Sequence, residues 1–233
     1  MKARICLLGL VLFCSACAAP SLRYKVEITR LEARGQFKEA AQQVEDKKNK
    51  LYNGKDEVLL DLDRATLLHD AQEPAASDSL FASAQARISD AYAKSISGTA
   101  GQLILNDWTA AYAVPAYEQA LTYYYRAQNF LQQGDVSSAA VEARKAVFFL
   151  DHLRADKKTG YNDDPFVQYF ASLVFESVGE RSDARIARTN AFNAYERLGK
   201  ELHLSVPDFP VPANADELGE VILVHYNGRM PLK

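Results

Sequence analysis

Gly134-Asp135-Val136-Ser137-Ser138-Ala139 separates two runs with helical apolar spacing, residues 114–133 before it and 136–153 after it. A glycine at the end of a helix supplies the left-handed backbone that stops it. The alanine five residues on is small enough for two antiparallel helices to approach closely just past the turn. Together the two runs predict a helical hairpin. The same grammar, glycine then a small residue at the sixth position, recurs twice. Gly35-Gln36-Phe37-Lys38-Glu39-Ala40 joins 22–34 to 37–50. Gly179-Glu180-Arg181-Ser182-Asp183-Ala184 joins 165–178 to 182–202, and Asp164-Pro165 is a favourable start for the helix before it. A fourth pair, 57–72 and 77–94, turns at Glu73-Pro74. There Ser77 or Asp78 is the expected helix cap, and Leu80, Phe81, Ala84, Ile88, Ala91 and Tyr92 fall on one expected apolar stripe.

This turn grammar resembles the tetratricopeptide repeat, a helix-turn-helix unit of about 34 residues. The fold class expected is therefore all-α: tetratricopeptide-like hairpin repeats, an α-solenoid, over residues 22–204. An insertion at 95–113 breaks the spacing. An unrelated helical bundle is the competing reading. Leu105-Asn106-Asp107, Tyr112, Tyr117-Glu118, Gly134-Asp135 and Val141-Glu142-Ala143-Arg144 further resemble a family of bacterial tetratricopeptide lipoproteins without an established biochemical activity. That resemblance implies a helical part followed by a β-rich segment.

The N-terminus has its own pattern. Lys2 and Arg4 precede an apolar run at 5–13, too short to span a bilayer, which needs about 18 residues. Cys14-Ser15-Ala16-Cys17 follows. The order reads as a signal peptide over 1–16 and resembles a bacterial lipobox, with Cys17 lipidated and 17–21 a short anchor segment. Cys14 stands where a lipobox usually has an aliphatic residue. Ala16-Cys17-Ala18 also fits an ordinary signal-peptidase site, which would give a soluble exported protein. A second acyl chain makes membrane attachment stable where one is marginal. Ala18 after the cysteine, with no Asp there, implies by the same resemblance an outer-membrane, periplasm-facing lipoprotein.

Composition narrows the function classes. Of the 233 residues, 48% are hydrophobic and the net charge is −3, which suits a packed core rather than disorder. Without a basic block, a nucleic-acid partner is not expected. All three cysteines, Cys6, Cys14 and Cys17, precede the folded body, and His69, His152, His203 and His225 are far apart. Neither a disulfide framework nor a metal site is expected, nor any cofactor. Phosphate loops, nucleophile elbows and zinc-protease motifs are missing, so no enzyme is expected. Asp61 with Asp63, and Asp163 with Asp164, read as solvated surface, because residues one or two apart on a helix do not face each other.

The binding candidates are Asn106, Asp107, Tyr112, Tyr117, Glu118 and Tyr124, in and after the insertion, with Glu142 and Arg144 on a later helix that could line a groove. Tyr123, Tyr124 and Tyr125 are consecutive, so at least one should reach a surface. Tyrosine offers large contact area with few rotors. The reading that follows is a non-enzymatic, lipid-anchored scaffold of the cell envelope that binds a protein or peptide partner through its repeats. The alternative is a pocket for a small apolar or glycan ligand formed by residues 95–125. Finally, 205–218 is a proline-rich linker, and 219–233 is a tail whose residues 219–226 read as a strand before an Asn227-Gly228 turn.

Overall fold

A computed structural model of the chain describes residues 20–52, 56–96, 112–156, 163–202 and 222–223. Among these residues there are nine helices: α1 (Pro20–Glu32), α2 (Phe37–Asp46), α3 (Lys48–Leu51), α4 (Glu57–Asp70), α5 (Pro74–Ile96), α6 (Ala116–Gln132), α7 (Val136–Asp156), α8 (Pro165–Ser177) and α9 (Arg181–Leu202). The protein is all-α over this span. The C-terminal strand expected at 219–226 falls largely outside the described residues. Ile222 and Leu223, which are described, are exposed and carry no strand assignment.

Four hairpins arise from one repeated turn. Gly35, Gly134 and Gly179 take positive φ values of 70°, 77° and 79°, and Gln72 takes 59° at the equivalent place. In each, the N–H of the left-handed residue reaches the carbonyl three residues back, and the next N–H reaches the carbonyl five back. These pairs are Gln36 to Leu31, Glu73 to Leu68, Asp135 to Phe130 and Glu180 to Phe175. This paired cap satisfies carbonyls that the helix end would otherwise leave bare. Five residues past the left-handed residue stand Ala40, Ser77, Ala139 and Ala184, all buried. The fourth turn therefore follows the same rule, with glutamine in place of glycine and serine in place of alanine. Neither Ser77 nor Asp78 caps α5. The helix begins earlier, at Pro74, and the Ser77 hydroxyl instead donates to the Ala65 carbonyl of α4 at 2.8 Å.

Two helix starts use an aspartate. The Asp164 carboxylate accepts the Val167 N–H at 2.9 Å before Pro165. Asp135 accepts both the N–H and the hydroxyl of Ser138, at 2.9 and 2.6 Å, and these bonds hold its carboxyl below the usual carboxylate range. Such caps stabilise a helix start by about 1 kcal/mol.

Packing runs along the chain. Within hairpins, α1 meets α2, α4 meets α5, α6 meets α7 and α8 meets α9; between them, α2 meets α4, α5 meets α6 and α7 meets α8. The first helices of neighbouring hairpins also touch, α4 with α6 and α6 with α8. The largest core cluster fills the last two hairpins. Its alanines (Ala120, Ala127, Ala139, Ala143, Ala171) allow close helix approach, while Tyr124, Leu150, Phe170 and Phe175 fill the volume between. A smaller cluster around Ala40, Val44 and Leu67 joins the first two hairpins. On α5 the expected apolar stripe is buried only in part: Phe81 and Ala84 lie in the core, whereas Ala91 and Tyr92 are exposed. α5 has 23 residues and α4 has 14, so the end of α5 outruns its partner.

Candidate functional site

Three of the expected binding residues come together. The Glu118 carboxylate, in the first turn of α6, accepts the Tyr112 hydroxyl at 2.6 Å and the Tyr117 hydroxyl at 3.0 Å. Two further residues join them that the sequence did not reveal. The Tyr52 hydroxyl, just after α3, donates to Asp63 of α4 at 2.5 Å. The charge on Glu118 adds to the upward push on the Asp63 carboxyl, so the two groups sense each other electrostatically. Two hydrogen-bonded sets, Tyr52 with Asp63 and Tyr112 and Tyr117 with Glu118, thus neighbour each other as two carboxylates and three phenols.

The electrostatics of the cluster follow from burial. Burial raises the Asp63 carboxyl to about 6; the Tyr52 bond and Lys25 work against this, and Glu118 and Glu32 add to it. The Tyr112 hydroxyl is pushed well above its usual range, first by burial and then by its bond to Glu118. A part-buried pair of like charges beside aromatic rings favours a proton or an incoming cation.

The expectation that the aspartate pairs are solvated surface is corrected. Asp61 is buried, accepts the Ser83 hydroxyl at 2.8 Å and lies 3.4 Å from the Arg87 guanidinium. Asp163 is buried too. It accepts the Asp164 N–H at 2.9 Å and Arg197 at 3.0 Å. Neighbours on other helices supplied what local spacing withheld.

Two other candidates are not surface groups. Tyr124 is buried, its ring edge-on to Phe166 and Phe170 at centroid separations of 5.1 and 4.7 Å. Such pairs add about 0.5–1.5 kcal/mol beyond burial, so Tyr124 is a packing residue. Tyr123 and Tyr125 are half-buried. Tyr123 leans on Phe149, and Tyr125 stacks on Phe81 across the boundary between the second and third hairpins. Glu142 is only 3% exposed. Its Oε1 accepts from Arg126 at 3.0 Å and Lys145 at 2.8 Å, and Arg126 also binds Asp78 at 2.7 Å and Gln85 at 2.8 Å. That arginine bolts the second hairpin to the third. Removing one member of a buried ion pair is costlier than the net worth of the pair, because the other charge is stranded.

Arg144 lies elsewhere again. It pairs with Glu180, sits 5.4 Å over the Phe175 ring and lines a cleft between α7 and α9. Cys17, Asn106 and Asp107 lie outside the described residues, as does most of the 95–113 insertion on which the ligand-pocket reading rests. Among the described residues, no three His, Cys, Asp or Glu side chains are grouped to hold a metal ion, and no helix is long and apolar enough to cross a membrane.

Comparison with known proteins yields no match to a family model, a curated protein or a solved structure.

Proposed function

We propose that the chain is a non-enzymatic scaffold of the bacterial cell envelope, a tetratricopeptide-like lipoprotein anchored through Cys17, that binds a protein or peptide partner along its first helices. The reading places it at the outer membrane, facing the periplasm. The repeat assignment is supported by four turns with the same left-handed cap and the same buried small residue. It is also supported by contacts between the first helices of successive hairpins, α4 with α6 and α6 with α8.

The observation that carries the binding reading is the tyrosine–carboxylate cluster of Tyr52, Asp63, Tyr112, Tyr117 and Glu118. The Tyr52–Asp63 bond ties the end of the first hairpin to α4, and the Glu118 bonds hold the approach to α6, all through polar side chains that are only part-buried. Phenol rings with hydroxyls at hydrogen-bonding positions are well suited to backbone amides and cationic side chains. The test places a photo-crosslinking amino acid at position 117 of the full chain in its native envelope, with the same group at exposed position 39 as control. One discrete protein adduct at 117 and none at 39 is expected. No adduct at 117, or identical adducts at both, would refute binding at this face.

A further inference from the structure

The last two hairpins leave a second feature, on the side of their second helices. A cleft of about 280 Å³ opens between α7 and α9, with Val147, Phe148, Phe175, Ile186 and Ala187 as its apolar lining. Phe148 is 71% exposed and Ile186 51%, one on each wall. Val141, two turns before Phe148 on the same stripe of α7, is exposed as well. Single exposed apolar residues are ordinary, but large ones facing each other across a groove mark a contact surface.

The charges around this cleft are unequal. Arg144 is neutralised by Glu180, and Asp151 by Arg154 on its own helix. Asp183, in the first turn of α9, lines the cleft and has no ion-pair partner among the described residues. The cleft is therefore an apolar slot with one carboxylate on its rim that has no cationic side chain paired to it among the described residues. An acidic segment would be repelled there, whereas a cationic one gains an otherwise vacant pairing.

We infer that this cleft docks a basic amphipathic peptide segment of a partner protein. One bulky apolar side chain enters between Phe148 and Ile186, and a neighbouring lysine or arginine reaches Asp183. The groove between two helices that run the same way suits a short helix laid along it, anchored by residues one turn apart. This surface lies on different helices from the tyrosine–carboxylate cluster and stands or falls separately from it.

The test uses the full chain in detergent and two fluorescein-labelled amphipathic peptides. Both carry the same leucine and phenylalanine stripe, one with lysines on the polar face and the other with glutamates. Anisotropy should show saturable binding of the lysine peptide, at least about tenfold tighter than its glutamate twin. Phe148→Ala should weaken it about tenfold, and Asp183→Asn by roughly two- to fivefold. Both side chains are exposed, so melting should be unchanged, and Tyr117→Ala should leave the affinity intact. Equal binding of the two peptides, or indifference to Phe148→Ala and Asp183→Asn, overturns the proposal. So does a sedimentation result in which the chain self-associates and Phe148→Ala makes it monomeric, since the occupant is then a second copy. Crosslinking of position 148 to residues 203–233 within one chain overturns it equally.

Discussion

Replacing Asp63 with asparagine should stabilise the protein near neutral pH. The wild-type carboxyl is raised from 3.8 to about 6 in the folded chain, chiefly by burial. Folding therefore binds this proton more tightly than the unfolded chain does. The stability this group contributes is fully present below the unfolded value of 3.8, and it is lost as pH rises through about 6. At 1.36 kcal/mol per pH unit, the ionised form disfavours folding by roughly 3 kcal/mol at most. The carboxylate keeps some contact with solvent, so about 1–2 kcal/mol is the expected size. Asparagine retains an oxygen for the Tyr52 hydroxyl and never carries the charge that faces Glu118 and Glu32; Lys25 loses its attraction. Urea unfolding followed by far-UV circular dichroism, near pH 7.5 and near pH 5, reads this directly. Asp63→Asn should be the more stable protein at the higher pH, with the advantage shrinking or reversing at the lower. Parallel stability-against-pH curves for the two proteins would refute the proposed environment of Asp63.

The turns offer a matched pair of tests: Gln72→Gly should raise stability by about 0.5–1 kcal/mol, and Gly134→Ala should lower it by about 1 kcal/mol, because both residues sit at positive φ. Unchanged melting in both would mean that the left-handed caps do not hold the hairpins. Ala139→Trp should overpack the contact between α6 and α7, costing about 1–3 kcal/mol or more, since Ala139 is completely buried; wild-type thermal unfolding would contradict that packing. Cys17→Ser should move the protein from the membrane to the soluble fraction and abolish acyl labelling, and continued labelling would refute the anchor.

The hairpins were legible because helix ends obey local chemistry. Gly35, Gly134 and Gly179 announced their turns, and Asp164-Pro165 announced the start of α8. The turn at Gln72 was less visible because it keeps the backbone geometry while replacing both marker residues, so the expected cap at Ser77 fell inside the helix. Periodicity gave the buried face of α5 correctly at Phe81 and Ala84, but it carries no information on where the partner helix ends, so Tyr92 was misassigned. The site was legible only by halves. Tyr112, Tyr117 and Glu118 are neighbours in sequence and meet in space. Tyr52 and Asp63 reach the cluster through tertiary packing of other hairpins, which no local spacing encodes. Tyr124 and Glu142 were misjudged for the same reason, because their burial depends on α8 and on Arg126 respectively.

The departure at Ser77 has a physical counterpart that gives the second hairpin its own character. Asn129 of α6, completely buried, lies 2.7 Å from the His69 Nδ1 through its Oδ1 and donates from Nδ2 to the Ser77 hydroxyl at 2.9 Å. Because the Ser77 hydroxyl donates onward to the Ala65 carbonyl, its oxygen is free to accept. Asn129 can then serve both neighbours in one orientation only: its amide nitrogen faces Ser77, and its oxygen requires a proton on Nδ1 of His69. Each bond in this chain then pairs a donor with an acceptor, which makes burial of these polar groups tolerable and ties α4, α5 and α6 in a single register. An alanine at 77 would remove both the acceptor for Asn129 and the link to Ala65. The second hairpin thus joins the third through directional bonds, with Arg126 adding its own bolt to Asp78 and Gln85. The third joins the fourth through the Tyr124, Phe166 and Phe170 rings, with the Arg144–Glu180 pair beside them. Polar groups held in fixed geometry resist sliding, while apolar contacts tolerate small adjustments. The tyrosine–carboxylate cluster is built on the directional side of the third hairpin, where its hydroxyls are held in position. The α7–α9 cleft is built on the apolar side, where walls can yield to an entering side chain.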